Sequence, residues 1–327
     1  VTVTTFGTWN LENLFRPGGE FGPKDDATYR AKLANMAATI ARAAPDVLGI
    51  EEVGDPDALA DLVALLDGEW HTQLSGHFEN EHPIRVGFLS RLPLTVVADR
   101  AAVPPPLAPV QADDAGHLMS VLGRGALAVS VEPAPGEQLT LVACHLKSKL
   151  LGFPPGPSGK PRFNPRDEGE RARYGAYALY RRAAEAVTVR ALADELLAGQ
   201  GRTRSVVVLG DLNDEPQAAT TQILLGPPGS EIGTAGADTP DKGDASRLWN
   251  LAPLIPEAER FSRIYHGRGE LIDHLLVSKA LLDRVEEVHV IGHEALPSVT
   301  DDPSARRADQ GSDHAPVVAR VNFLPAG

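Results

Sequence analysis

The chain is poor in several of the residues that would place it at once. It has one cysteine, Cys144, in 327 residues, which excludes a disulfide framework and any cysteine-based zinc site. Aromatic residues make up only 5%. No apolar run approaches the roughly 18 residues that a membrane helix needs. Positive charge is in deficit: 31 Lys and Arg against 44 Asp and Glu leave a formal net charge of −13. That balance opposes a protein that coats nucleic acid with its whole surface, because such binding is driven by phosphate neutralisation. It is compatible with a small basic groove. No G-x-S-x-G elbow occurs, which argues against a serine hydrolase of that type. The G-N-H-(D/E) motif of a calcineurin-type phosphatase is missing too. There is no internal repeat. Val1-Thr-Val-Thr shows neither a basic nor an apolar leader segment, and the compartment stays open between secreted and cytoplasmic.

What is present reads as a loop-rich globular protein. Glycine and proline number 31 and 27, above average usage but below the low-complexity range of about 25%. A chain of this size buries roughly 75% of its unfolded surface, and nothing divides it. The Pro/Gly-rich stretches at 104–116, 152–165, 226–243 and 297–311 read as loops without a change in their flanks, so one domain over 1–327 is expected.

Short apolar runs at 2–9, 47–50, 85–90, 127–131, 139–144, 205–209, 272–277, 285–291 and 315–321 read as strands. Several, such as Val206-Val207-Val208-Leu209, are apolar on both faces and call for cover on both sides. Three helices stand between them. Asp26 is placed to cap one carrying Tyr29, Leu33, Met36 and Ile40 on a single stripe. Asp55-Pro56 opens a second. A third runs from about Glu168 to Ala198 and is closed by Gly199.

The polar residues with chemical reach sit at strand ends. Asn10 and Glu12 follow the first strand, Glu51-Glu52 ends the second, and His145 ends 139–144. Asp211, Asn213 and Asp214 follow 205–209 through Gly210. Asp273-His274 opens a strand, and Ser312-Asp313-His314 precedes the last. Singly, each is ordinary, since Asp and Asn after a strand commonly form turns. Together, carboxylates, amides and imidazoles suit a hard-cation phosphoryl site, because Mg²⁺ takes oxygen ligands and leaves room for water and phosphate. Cys144 and His145, adjacent in a strand, point to opposite faces and do not form a nucleophilic pair.

In order, these residues resemble the endonuclease/exonuclease/phosphatase superfamily, which contains deoxyribonuclease I, abasic-site endonucleases, neutral sphingomyelinases and inositol polyphosphate 5-phosphatases. Trp9-Asn10-Leu-Glu-Asn13 resembles its opening W-N motif. Asp46-Val-Leu-Gly-Ile-Glu-Glu52-Val resembles D-(I/V)-(L/I)-x-L-Q-E-V, with Glu51 where Gln is usual. Gly210-Asp211-Leu-Asn213-Asp214 matches G-D-F-N. Ile272-Asp273-His274 matches R-(I/L)-D-(Y/H), with Leu271 in place of Arg. Ser312-Asp313-His314-Ala-Pro316-Val matches S-D-H-x-P-(V/L).

The resemblance implies an α/β four-layer sandwich, two face-to-face mixed β-sheets flanked by helices, with the site at one end. It implies a divalent-metal-dependent phosphoesterase. By position, Glu52 is the principal Mg²⁺ ligand, assisted by Asn10 and Asp313, with Mn²⁺ as a substitute ion. Asp211 and Asn213 position the attacking water and the phosphate, or hold a second ion. His314, oriented by Asp273, serves in acid/base catalysis, and His145 meets the phosphate from the other side. Alternation points Glu51 away from the face of Glu52.

The substrate is less defined. Between Lys147 and Arg182 nine Lys and Arg face three acids, a local charge of +6. Lys147-Ser148-Lys149 resembles the H-x-K-S-K run of bacterial nucleases of this superfamily. The segment reads either as a solvated face or as an arm receiving a polyanion, with Lys147, Arg162 and Arg166 as substrate contacts beside Asn10. Tyr174, Tyr177 and Tyr180 interleave with it and suit either packing or base stacking. A nuclease acting on DNA or RNA is the leading expectation. A phosphatase or phosphodiesterase on a small ester, nucleotide or lipid head group uses the same residues. A catalytically inactive phosphate-binding module is the third reading. No protein partner is indicated.

Overall fold

A computed structural model describes residues 1–156 and 162–323. Twelve strands build two six-stranded sheets. In chain order they are β1 (Thr2–Leu14), β2 (Val47–Val53), β3 (His71–Leu74), β4 (Arg85–Ser90), β5 (Thr95–Ala102), β6 (Val121–Ala134), β7 (Glu137–His145), β8 (Ser205–Asp211), β9 (Leu248–Asn250), β10 (Asp273–Ser278), β11 (Val285–Val290) and β12 (Val317–Phe323). The first sheet runs β11-β12-β1-β2-β4-β3 and the second β9-β10-β8-β7-β6-β5. Each is mixed: β1 pairs with β2 in parallel and β7 with β8 in parallel, against antiparallel neighbours.

The doubly apolar strands explain the layering. Val207 and Leu209 of β8 face the first sheet, meeting Phe6, Val47 and Phe88 in the central core. Val206 and Val208, on the other face, pack with Ala184, Val189 and Leu192 of helix α3 (Glu168–Leu197). On the far side, Leu48 and Ile50 of β2 pack with Met36 and Ile40 of helix α1 (Asp26–Ala43) and Leu59 and Leu62 of helix α2 (Pro56–Val63). The result is the expected helix–sheet–sheet–helix sandwich. Gly49 lets the sheets approach, since a Cβ there would lie 2.1 Å from Leu209 Cδ1.

The structure adjusts local details. The cap of α1 is Asp25, whose carboxylate accepts from Thr28 N at 2.8 Å, rather than Asp26. Ala198, not Gly199, takes the left-handed cap of α3. Strands β3, β5 and β9 lacked a sequence signal for physical reasons. β3 is short and polar, β5 leaves Val96 and Val97 about half exposed at a sheet edge, and β9 spans only three residues.

Candidate active site

β1, β2, β7 and β8 all finish at one end of the sandwich, where β10 begins and the 312–316 segment enters β12. Five of the motifs are therefore brought together. Trp9 Nε1 donates to His314 O at 2.8 Å, fastening the first motif to the last. Four non-glycine residues here hold positive φ: Glu12 (46°), Asn13 (48°), Glu52 (60°) and Asn213 (51°). Such backbone is costly and persists where the surroundings over-determine it. Around Glu52 the register of β2 shifts against both neighbours, which takes Glu52 out of the pleat and turns it toward Asn10.

Asn10 is the hub. Its Nδ2 donates to Glu52 Oε1 at 3.1 Å and to Asp211 Oδ2 at 2.9 Å. Asn13 N donates to Glu52 Oε2 at 2.9 Å. Asp211 Oδ1 accepts from Asn213 N at 2.8 Å, and Asn213 Nδ2 donates to Leu146 O at 3.0 Å. His145 Nε2 stands 3.5 Å from Asp211 Oδ2 and 4.0 Å from Glu52 Oε1. His314 Nδ1 is 2.8 Å from Asp273 Oδ2, which also accepts from Ser262 Oγ at 2.6 Å. His314 Nε2 then faces Asp211 Oδ2 at 3.9 Å.

Burial and charge set the protonation of these groups. Burial, with Asp273 second, pushes Asp211 up to about 7. Burial favours neutral His314, but the carboxylates of Asp273, Asp313 and Asp211 overcome it and raise the ring to about 10. His145 moves the other way: burial, reinforced by the Arg124 cation, drives it well below the usual histidine range. Two imidazoles with opposite protonation flank one carboxylate, the pattern that separates acid from base roles.

A divalent ion fits this donor set. Glu52, Asp211, Asp313 and Glu12 are all buried or nearly so, and Glu52 and Asp211 are bridged by the neutral amide of Asn10 and approached by the His145 imidazole. Glu52 remains below the ordinary carboxylate range although burial and Asp313 oppose it, because Asn10, His82 and Arg306 favour its charge. Asp211, Asp273 and His314 also present ligand atoms within 4.8 Å of one another.

Several residues belong to the site that the sequence did not assign. Glu12 Oε2 accepts from Asp313 N at 3.0 Å, and burial beside Asp313 raises it to about 8. Its place two residues after Asn10 was the available signal. Arg306 and Arg263 hold Asp313 Oδ2 at 2.6 and 3.3 Å, and Arg124 lines the cavity with no hydrogen-bond partner for Nε or Nη1 among the described residues. Nothing local marked these. Glu51 lies on the opposite face, as alternation predicts, with Oε1 accepting from Thr8 Oγ1 at 2.7 Å. Burial, then Asp273, raises it well above the carboxylate range.

The basic segment behaves differently from a substrate arm. Lys147, Arg162 and Arg166 do not line the cavity over the candidate site, whose volume is about 510 Å³. Lys147 turns inward, its Nζ donating to Ser148 O and Leu150 O, and burial lowers it to about 7. Arg162 and Arg166 both clasp Glu170, at 2.8 and 2.7 Å, because a buried carboxylate demands counter-charge. Arg171, Arg173, Arg181 and Arg182 are paired with Glu168, Asp114, Glu185 and Asp214. Tyr174 is buried and stacks edge-on with Tyr177, which stacks with Tyr180. Lys160 lies outside the described residues. Lys149, by contrast, does line the cavity.

Residues 7–314 match the model of the Endonuclease/Exonuclease/phosphatase family. The chain belongs to this family. Among solved structures, truncated TDP2 of Caenorhabditis elegans is similar at 16% identity and a TM-score of 0.55, with 98% of each chain covered. The mannosyl-6-phosphatase Bt3783 of Bacteroides thetaiotaomicron is similar at 14% identity and 0.54, covering 98% of this chain and all of that one. The 3′-5′ exonuclease of Neisseria meningitidis is similar at 18% identity and 0.53, with the same coverage. At these identities the likeness establishes the fold. A search of curated proteins finds no match. Membership of the family supports a phosphoesterase in general.

Proposed function

We propose that this family member hydrolyses a small phosphate ester, of nucleotide or sugar-phosphate size, by attack of water on phosphorus. One observation carries the choice of substrate. The cations of the 147–182 segment that would track a nucleic-acid backbone are, among the described residues, engaged almost throughout by carboxylates or carbonyls of the protein itself. The cavity over the cluster, at about 510 Å³, is of the size that takes a drug-sized ligand.

The chain's own residues account for positioning and proton movement. Asp273 fixes His314 Nδ1, so Nε2 faces the phosphate position carrying a proton at neutral pH. There it balances developing charge and supplies the proton to the leaving oxygen. Asp211, held by Asn10 and the Asn213 backbone, orients the attacking water and draws its proton. His145, neutral, is a hydrogen-bond partner for a phosphoryl oxygen. Glu52, with Asn10 and Asp313, would hold a divalent ion such as Mg²⁺ or Mn²⁺, which supplies Lewis-acid polarisation of the phosphoryl group.

Action at the end of a nucleic-acid strand is the second reading, favoured by Phe21, His82, Phe163 and Tyr265 in the cavity lining. A panel decides between them: p-nitrophenyl phosphate, bis-p-nitrophenyl phosphate, nucleotides, oligonucleotides and plasmid, each with Mg²⁺ and Mn²⁺. The small esters are expected to turn over with little salt dependence. Plasmid or oligonucleotide cleavage whose affinity falls with a log–log salt slope of about −2 to −3 refutes the small-ester reading.

A further inference from the structure

Among the described residues, the Lys and Arg side chains that line the cavity over the candidate site are committed to the protein, with one exception. Lys32 donates to Glu12 O, and Lys149 pairs with Asp214 at 3.2 Å. Arg263 and Arg306 hold Asp313, and Arg307 donates to Gly22 O at 3.0 Å and Gly19 O at 2.9 Å. Arg124 alone has no hydrogen bond or ion pair among the described residues. Its Nε and Nη1 are closed off from solvent, and Nη2 is the guanidinium nitrogen left with accessible surface. A ligand in the cavity therefore meets Arg124 through Nη2.

The backbone is shaped to bring this side chain to the cavity. Where β6 runs beside β5, Ala126 pairs with Arg100 and Val121 with Ala102, so residues 122–125 stand opposite Ala101 alone. Such a bulge bends its strand and re-aims a side chain, and bulges gather beside active sites. Gly125 holds the bend with a φ of 72°, and a Cβ there would lie 2.6 Å from Ser75 Oγ.

The place of Arg124 narrows its ligand. Its charge is the largest influence after burial that keeps His145 neutral, which sets it on the His145 side of the carboxylate cluster. Glu79, the acid that feels the same charge, is already bound by Arg181. A half-buried guanidinium without a counter-charge is costly, and an anion in the cavity removes that cost. On the small-ester reading above, on which this inference rests, that anion is the substrate phosphate. A phosphomonoester carries about −1.5 to −2 charges and three terminal oxygens. A diester carries a single charge and has one terminal oxygen fewer, so it gains less from a further cation. We propose that Arg124 is a specificity-determining residue, donating through Nη2 to a terminal phosphate oxygen beside His145 and favouring phosphomonoesters over diesters.

Calorimetric titration with inorganic phosphate and with dimethyl phosphate, in Mg²⁺, tests this without turnover. Wild type should bind inorganic phosphate the more tightly, and Arg124→Met should cut that preference about tenfold or more, the worth of one charge-assisted hydrogen bond. Arg124→Lys, which keeps the charge, should retain part of it. In turnover, Arg124→Met should lose about tenfold more kcat/KM on p-nitrophenyl phosphate than on bis-p-nitrophenyl phosphate. A merely structural arginine would lower both esters alike. Equal losses on the two esters, or a wild type without preference for inorganic phosphate, overturns the proposal. Should Arg124→Met fail to fold, an Arg124→Lys variant with the full wild-type preference for inorganic phosphate overturns it as well. If no ester is turned over at all, the hydrolytic reading falls, while the two binding titrations still decide the role of Arg124.

Discussion

Replacing Asp273 by asparagine tests whether the charge on His314 is what the site uses. Asp273 lies 2.8 Å from His314 Nδ1, and its charge is the largest of the contributions that favour the imidazolium against burial. The rise from 6.5 to about 10 amounts to about 5 kcal/mol in favour of the charged ring. A folded-state pKa above the unfolded one gives stability that is complete below 6.5 and is lost as pH rises through about 10. Without the Asp273 charge, burial persists and its main opponent is gone, so the ring loses its proton at lower pH. Turnover of bis-p-nitrophenyl phosphate should fall by about 10²–10⁴-fold near neutral pH, and the alkaline limb of the pH–rate profile should move downward. Because Asp273 acts through His314, Asp273→Asn/His314→Ala should lose little more than His314→Ala alone. An unmoved alkaline limb, or losses that multiply in the double variant, refutes the pairing.

Glu52→Gln should weaken Mn²⁺ binding by about 100-fold or more in calorimetry, while Glu51→Gln changes it little, since the amide replaces a carboxyl that burial already keeps neutral. If Glu51→Gln is the variant that loses the metal, the face assignment of this motif fails. Glu12, raised to about 8, is protonated at neutral pH, so Mn²⁺ binding there should release a proton, seen as buffer-dependent binding enthalpy; buffer-independent enthalpy contradicts this. Arg162→Ala/Arg166→Ala should leave aryl-ester turnover and its salt response unchanged but lower the unfolding midpoint. These arginines hold the Glu170 carboxylate below its ordinary range. A depressed carboxylate pKa stabilises the fold above its unfolded value and loses that stability as pH falls through the folded one. The midpoint gap between wild type and variant should therefore close in acid, and a gap that persists there excludes this origin.

Much of the architecture was legible in the chain. Strands such as Val206–Leu209 carry apolar residues on both faces, and that local pattern calls for cover on both sides, while the sheet on one side and the helix on the other were what the family resemblance implied. The placement of Asn10, Glu52, His145, Asp211 and Asp273 at one end of the sandwich was what the family resemblance implied, and each motif does end or open a strand there. The meaning of the basic segment did not. Charge counted along 147–182 is positive, but the acids that answer it come from within it at Glu170 and from afar at Asp114, Glu79 and Asp214. Arg124, Arg263 and Arg306 reach the cavity from elements without a motif. A side chain's face is fixed by neighbours one or two residues away, whereas its electrostatic partner is fixed by whatever the fold brings within a few ångströms. For that reason the strand-end residues that meet in the candidate site could be named from their motifs, and the charge around them was decided only by the tertiary structure.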